Sequence, residues 1–161
     1  MKHIELTRGK FTLVDDGWVD YLSQWKWKAI RFSSKYPDKF YAGRTEKVGS
    51  KMVVVWMHRV INNTPDGMKT DHVDGDTLNN TDKNLRSSTH AENIHNQGKQ
   101  KHNTSGYKGV TRSGNKWVSR IAVNGNRIYL GTFNNINDAG IAYDNAASLY
   151  HKQFARLNFG E

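Results

Sequence analysis

Apolar residues along this chain alternate in several short runs and recur at helical spacing in only a few places, which predicts an α+β protein built from small pieces. In residues 1–57, Lys10-Phe11-Thr12-Leu13-Val14 ends at Asp15-Asp16-Gly17, and Phe40-Tyr41-Ala42 and Met52-Val53-Val54-Val55-Trp56 read as further strands. Trp18, Tyr21, Leu22 and Trp25 fall at helical spacing, and Trp18, Trp25 and Trp27 are expected to pack inside a small β-rich module. Residues 58–97 predict a strand from Lys69 to Val73, a turn at Asp74-Gly75-Asp76, and a returning strand at Asn84-Leu85-Arg86. Thr89 and Glu92 form a T-x-x-E capping box, so a helix should start near His90 and stop at Gly98. Residues 98–106 contain no apolar side chain and read as a mobile basic linker.

In residues 107–161 the pattern becomes three strands and a helix. Lys116–Val123 and Arg127–Phe133 alternate around Asn124-Gly125, a strong hairpin signal. Asn135, with Asp138 three residues on, can cap a helix whose apolar stripe is Ile136, Ala139, Tyr143, Ala146 and Tyr150. Alternation sends Trp117, Ile121, Ile128 and Leu130 towards that helix and leaves Lys116, Arg120, Arg127 and Tyr129 on the opposite face. The expected product is a three-stranded antiparallel sheet packed on one helix, with a cationic, aromatic-bearing face exposed.

Composition sharpens this picture. A mean hydropathy of -0.80 argues against one large apolar core. The 161 residues contain no cysteine, which removes disulfides, thiol nucleophiles and cysteine-based zinc sites. The formal charge is +9. Residues 98–161 carry nine Lys/Arg against three Asp/Glu, leaving fifteen against twelve for residues 1–97. Such a field concentrates polyanions, nucleic acid above all. The start, Met1-Lys2-His3-Ile4-Glu5, lacks the apolar core of a signal peptide and no run is long enough to span a membrane, so a soluble cytoplasmic protein is expected.

The segment Asp71-His72-Val73-Asp74-Gly75-Asp76 carries candidate chemistry. Neighbours on a strand point to opposite sides, so Asp71 suits a metal ligand beside His72 as general base. Asn84, on the returning strand, could accept from the second ring nitrogen of His72, and Asn93, early in the helix, could face Asp71. One carboxylate, one amide oxygen, phosphate and water favour Mg²⁺ or Mn²⁺ over Zn²⁺. Asp74 and Asp76 are expected to shape the turn, Asn79 and Asn80 to hold the loop, and His58 to be structural.

Together with His58-Arg59, Leu78-Asn79-Asn80, Lys83-Asn84-Leu85-Arg86 and Glu92-Asn93-Ile94-His95-Asn96, this segment resembles the HNH endonuclease family. The form is the one ending in asparagine that is common among phage and intron-encoded homing endonucleases. The resemblance implies a ββα-metal fold, Asp71 and Asn93 as metal ligands, His72 as general base and Asn84 fixing its orientation.

Gly106-Tyr107-Lys108-Gly109-Val110, Lys116-Trp117, Tyr129-Leu130-Gly131-Thr132-Phe133, Ala142-Tyr143-Asp144-Asn145-Ala146-Ala147 and Leu157-Asn158-Phe159 resemble the AP2/ERF DNA-binding domain. That family lays its sheet in the major groove. Lys108, Arg120, Arg127 and Tyr129 are then candidate base contacts, with Arg112 and Lys116 as phosphate partners. Thr111 stands where plant members often carry arginine, so the family's target sequence does not transfer.

These readings give a metal-dependent, site-specific endonuclease acting on double-stranded DNA as a monomer or weak homodimer, with a monomer expected to nick. The rivals are a DNA-binding regulator with an inactive nuclease motif, and an RNA-directed nuclease.

Overall fold

The computed structural model describes residues 1–160, which form two units, one of Met1–Thr89 and one that begins at His90. The first opens with the hairpin β1 (Lys2–Glu5) and β2 (Phe11–Val14), followed by the short helix α1 (Val19–Leu22). A three-stranded antiparallel sheet follows, in the order β3 (Lys28–Ser33), β4 (Tyr36–Val48), β5 (Lys51–Trp56). Helix α2 (Met57–Ile61) then leads to the hairpin β6 (Lys69–His72) and β7 (Leu85–Ser88).

One core joins these pieces. Val14, Leu22, Trp27, Phe40, Met57 and Leu85 are all buried in a single cluster, with Trp18 and Trp25 packed against it. The boundary drawn between residues 57 and 58 therefore runs through a core, because Met57 and Ile61 pack with residues of β2 and β4. The tryptophans pack as expected; Trp27 also donates its indole N–H to the Leu22 carbonyl at 2.9 Å, so its one polar atom is satisfied.

The second unit begins with α3 (His90–Asn96), continues through β8 (Val110–Ser113), β9 (Lys116–Val123) and β10 (Asn126–Phe133), and ends with α4 (Ile136–Tyr150). The sheet order is β10-β9-β8, antiparallel throughout. The Asn135 side chain accepts from the Asn137 N–H at 2.8 Å and caps α4, as its spacing suggested. The helix buries Ala139, Tyr143, Ala146 and Ala147, the last three in one cluster with Ile121, with Ile128 and Leu130 alongside; Tyr150, assigned to this stripe, is exposed.

Gly109, at φ +75°, is where α4 meets the start of β8. A Cβ there would sit 2.0 Å from the Tyr143 ring, so only glycine lets the ring close over the backbone. Asp144, buried on α4, accepts from the N–H groups of Asn158 and Phe159, and the Asn158 side chain bonds the Lys108 backbone at 2.6 and 3.1 Å. The segment Leu157-Asn158-Phe159 is thus tied to α4 and to the entry of β8. The stretch expected to be a mobile linker is held at its C-terminal end, where Asn103 and Ser105 bond the Tyr107 carbonyl and Ser105 also bonds that of Val110. Among the described residues no helix is long and apolar enough to cross a membrane.

Candidate functional site

On the β6–β7 hairpin, Asp71 pairs with Arg86 and His72 with Leu85. The twelve-residue loop between them is fastened from inside and outside. From inside, Asp74 caps the turn by accepting from the Asp76 N–H at 2.8 Å and from the Asn79 amide at 2.7 Å, while Asp76 accepts from the Leu78 N–H. The Asn84 amide accepts from the Asp74 N–H at 3.0 Å and donates to the Asp74 carboxylate and the Asn79 carbonyl at 2.9 and 2.7 Å. From outside, the loop is sewn to β2: the N–H of Leu13 reaches the Leu78 carbonyl and the N–H of Asn80 the Leu13 carbonyl. Asp74, Asp76 and Asn79 thus take the turn-shaping parts expected of them.

The ring contact assigned to Asn84 is made by Asn80. Asn80 is fully buried and its Oδ1 lies 3.0 Å from His72 Nε2. Thr12 gives its one hydroxyl proton to the Leu78 carbonyl at 2.7 Å, so it must accept from Asn80 Nδ2 at 2.8 Å. Asn80 therefore turns its oxygen towards His72, Nε2 carries the proton, and Nδ1 holds the lone pair. Burial pushes the protonation of His72 below the ordinary imidazole range, against the pull of the Asn80 bond and of Asp74, Asp71 and Asp76. At neutral pH the ring is a neutral imidazole with a fixed tautomer, which is what a general base requires.

Asp71 is buried and its Oδ2 accepts from Arg86 Nε and Nη2 at 2.9 and 2.7 Å. Both N–H groups of the guanidinium close on one carboxylate oxygen, and any metal would share this carboxylate with Arg86. Asn93 lies half-buried on α3, in the second unit. Among the described residues no three His, Asp or Glu side chains converge on a metal-sized site.

Rings surround the histidine. His58 lies 5.4 Å from His72 and stacks on Trp56 at 6.0 Å and 16°, while Tyr41 touches His58 and His72 at 5.3 and 6.0 Å. Its buried Nδ1 finds no partner among the described residues, and burial, His72 and Arg59 push its pKa down to about 3. His58 is a neutral packing ring, as expected. Arg59 donates to the carbonyls of Met68 and Thr64 and braces the turn before β6.

In the second unit Tyr129 pairs with Arg120 and Arg127 with Ala122, so these three candidate side chains share the sheet face away from α4. Arg120, Arg127 and Tyr129 are exposed, as is Lys116 on the same alternation. The Tyr129 hydroxyl bonds Thr132 Oγ1 at 2.7 Å, which orients the ring on that surface.

Two candidates leave this face. Arg112 pairs with Trp117, which puts it on the other side at the sheet edge; its Nε donates to the Gly114 carbonyl and its guanidinium lies 5.9 Å from the Trp117 ring. Lys108 is drawn inwards, donating to the carbonyls of His95 and Gln97 at 2.5 and 2.7 Å. Burial and Arg156 pull its ammonium down to about 8. A cation on the last carbonyls of α3 satisfies groups the helix cannot, so Lys108 anchors that helix. His95 adds to the anchor by stacking on His151 at 3.7 Å and 8°. Sequence spacing contains no trace of this pairing, whose partners are 13 and 56 residues apart.

No family model matches the chain. Over 58 residues it is 45% identical to the dehydration-responsive element-binding protein 2C of Arabidopsis thaliana, a stretch amounting to 34% of this chain and 17% of that protein. The chain thus spans only a small part of that relative's length. The likeness supports the AP2/ERF-like character read from residues 106–159, and the sheet with one helix against it is compatible with that fold.

Proposed function

We propose that this chain binds double-stranded DNA sequence-specifically through the face of β8–β10 that carries Lys116, Arg120, Arg127 and Tyr129. The observation that carries the reading is the register placing Arg120 and Tyr129 opposite each other, with Arg127 on the same side and no carboxylate of the three strands beside them. Arginine forks read guanine edges in the major groove, a groove wide enough to admit a two-stranded ribbon. The relative named for binding a dehydration-responsive element supports the same reading and, of the two activities considered, supports binding alone. Selection from a random duplex pool should enrich a site, and Arg120→Ala and Arg127→Ala should each lower affinity for it by roughly tenfold or more.

A second activity is favoured by the tautomer of His72. Its Nδ1 lone pair, the Asp71 carboxyl group beside it and a loop locked by Asn84 make a phosphodiester-cutting site on the first unit the reading that best uses this geometry. Asp71 would be the carboxylate ligand of Mg²⁺ or Mn²⁺ on this unit, and the charge of that ion would stabilise the leaving oxygen. His72 would take the proton of the attacking water at Nδ1. Supercoiled plasmid carrying the selected site should be nicked by the protein in Mg²⁺ or Mn²⁺ and left intact by His72→Ala. Intact plasmid with both proteins, on a site both bind, would leave a DNA-binding protein without cleavage.

A further inference from the structure

The outer face of the β3–β4–β5 sheet is absorbed by neither activity. Along β4, Phe40 and Ala42 are buried in the core, so alternation turns Lys39, Tyr41, Gly43, Thr45 and Lys47 to the other side. From Lys39 to Lys47 that side of β4 carries two lysines and no carboxylate, whereas Glu46 lies on the core side, paired with Arg44 at 2.6 Å; a register shift interrupts the alternation before Lys39, and Tyr36 joins the face through its ring contact with Phe32.

The face is paved with rings. From the half-buried Tyr41, Phe32 lies 5.6 Å away and Tyr36 lies 6.1 Å beyond it; Phe32 is 55% exposed and Tyr36 44%. Trp56 lies 5.9 Å to the other side of Tyr41, and the series reaches His72 through His58. Glycine at 43 keeps the pavement flat, since a Cβ there would fall 2.8 Å from Ile30 Cδ1 and 3.0 Å from Trp56 Cε3. Lys39 stands over Phe32 and Tyr41 at 5.8 and 6.0 Å, and Lys35 over Tyr36 at 5.7 Å.

We propose that this face is a binding platform for unpaired nucleotides, with bases stacked on Phe32, Tyr36 and Tyr41 and the phosphate backbone held by Lys39 and its lysine neighbours. Exposed π-faces interleaved with cations suit single strands, whose bases present their own faces; an intact duplex hides those faces in its stack. The line of rings continues through Trp56 and the buried His58 to His72, so the platform adjoins the hairpin. The proposal rests on the reading of DNA as substrate, but on different residues from the duplex-binding face.

The test uses the full-length protein in EDTA, with fluorescein-labelled dT20 and a labelled random-sequence duplex in parallel anisotropy titrations at low salt. Wild type should bind both. Phe32→Ala/Tyr36→Ala should weaken dT20 binding by at least tenfold and leave duplex binding within twofold, and Arg120→Ala/Arg127→Ala should do the reverse. Lys39→Ala should lower the salt dependence of dT20 binding. Equal dT20 affinity in wild type and Phe32→Ala/Tyr36→Ala would overturn the platform while leaving the duplex reading intact. So would a wild type that ignores dT20 yet cosediments with vesicles of equimolar phosphatidylcholine and phosphatidylserine. Loss of duplex binding in the wild type would instead overturn the function proposed above.

Discussion

His72 and Asn80 show how much one buried amide decides. The Thr12–Asn80–His72 relay sets a tautomer, and removing its middle member takes one bond from the buried Thr12 hydroxyl, which keeps its bond to the Leu78 carbonyl, and the Asn80 bond from His72 Nε2. Asn80→Ala should therefore destabilise the first unit by about 1–3 kcal/mol in urea titration, more than an exposed asparagine such as Asn115. His58 makes a pH prediction whose sign follows from its lowered pKa. The unfolded chain takes up this proton near pH 6.5, while the folded state, with His72, Arg59 and the rings of Trp56 and Tyr41 around it, resists until about 3. Stability is then full above pH 6.5 and falls on acidification by up to about 1.4 kcal/mol per pH unit from this group. His58→Phe should flatten that slope between pH 6.5 and 4, the remainder coming in part from His72, which is shifted in the same direction; an unchanged slope would contradict it. That Asn80 and not Asn84 meets the ring was not legible in the sequence, because the choice depends on where the loop docks on β2, 66 residues away.

Among the elements, β9, β10 and α4 were legible almost to the residue, since alternation, the Asn124-Gly125 turn and the Asn135 cap all point to one structure. The β6–β7 hairpin was legible for the same reason. The length of β4 was not, because Pro37 and Asp38 read as a boundary while the strand runs from Tyr36 to Val48. Nor was the attachment of α3, a helix of seven residues that depends on Lys108 and on the His95–His151 stack. Lys108→Met should strand the carbonyls of His95 in α3 and Gln97 just past its end, cost about 1–3 kcal/mol, and raise hydrogen exchange in α3 ahead of β9. Gly109→Ala should be harsher, about 3 kcal/mol or more, since it adds overpacking against Tyr143 to a left-handed backbone. A variant that melts within a degree of wild type would contradict that packing.

For the molecule as a whole, charge divides the sequence between residues 97 and 98, whereas the structure divides it between residues 89 and 90 and so places α3 in the second unit. Duplex DNA is proposed to be read by Arg120, Arg127 and Tyr129 on one face of one sheet. The most direct measurement is a gel-shift titration on a site selected from random duplex DNA, comparing wild type, Arg120→Ala/Arg127→Ala and His72→Ala. The expected result is an affinity at least tenfold weaker for the double variant and unchanged for His72→Ala. Equal affinity for all three proteins would show that the sheet face is not where DNA is read.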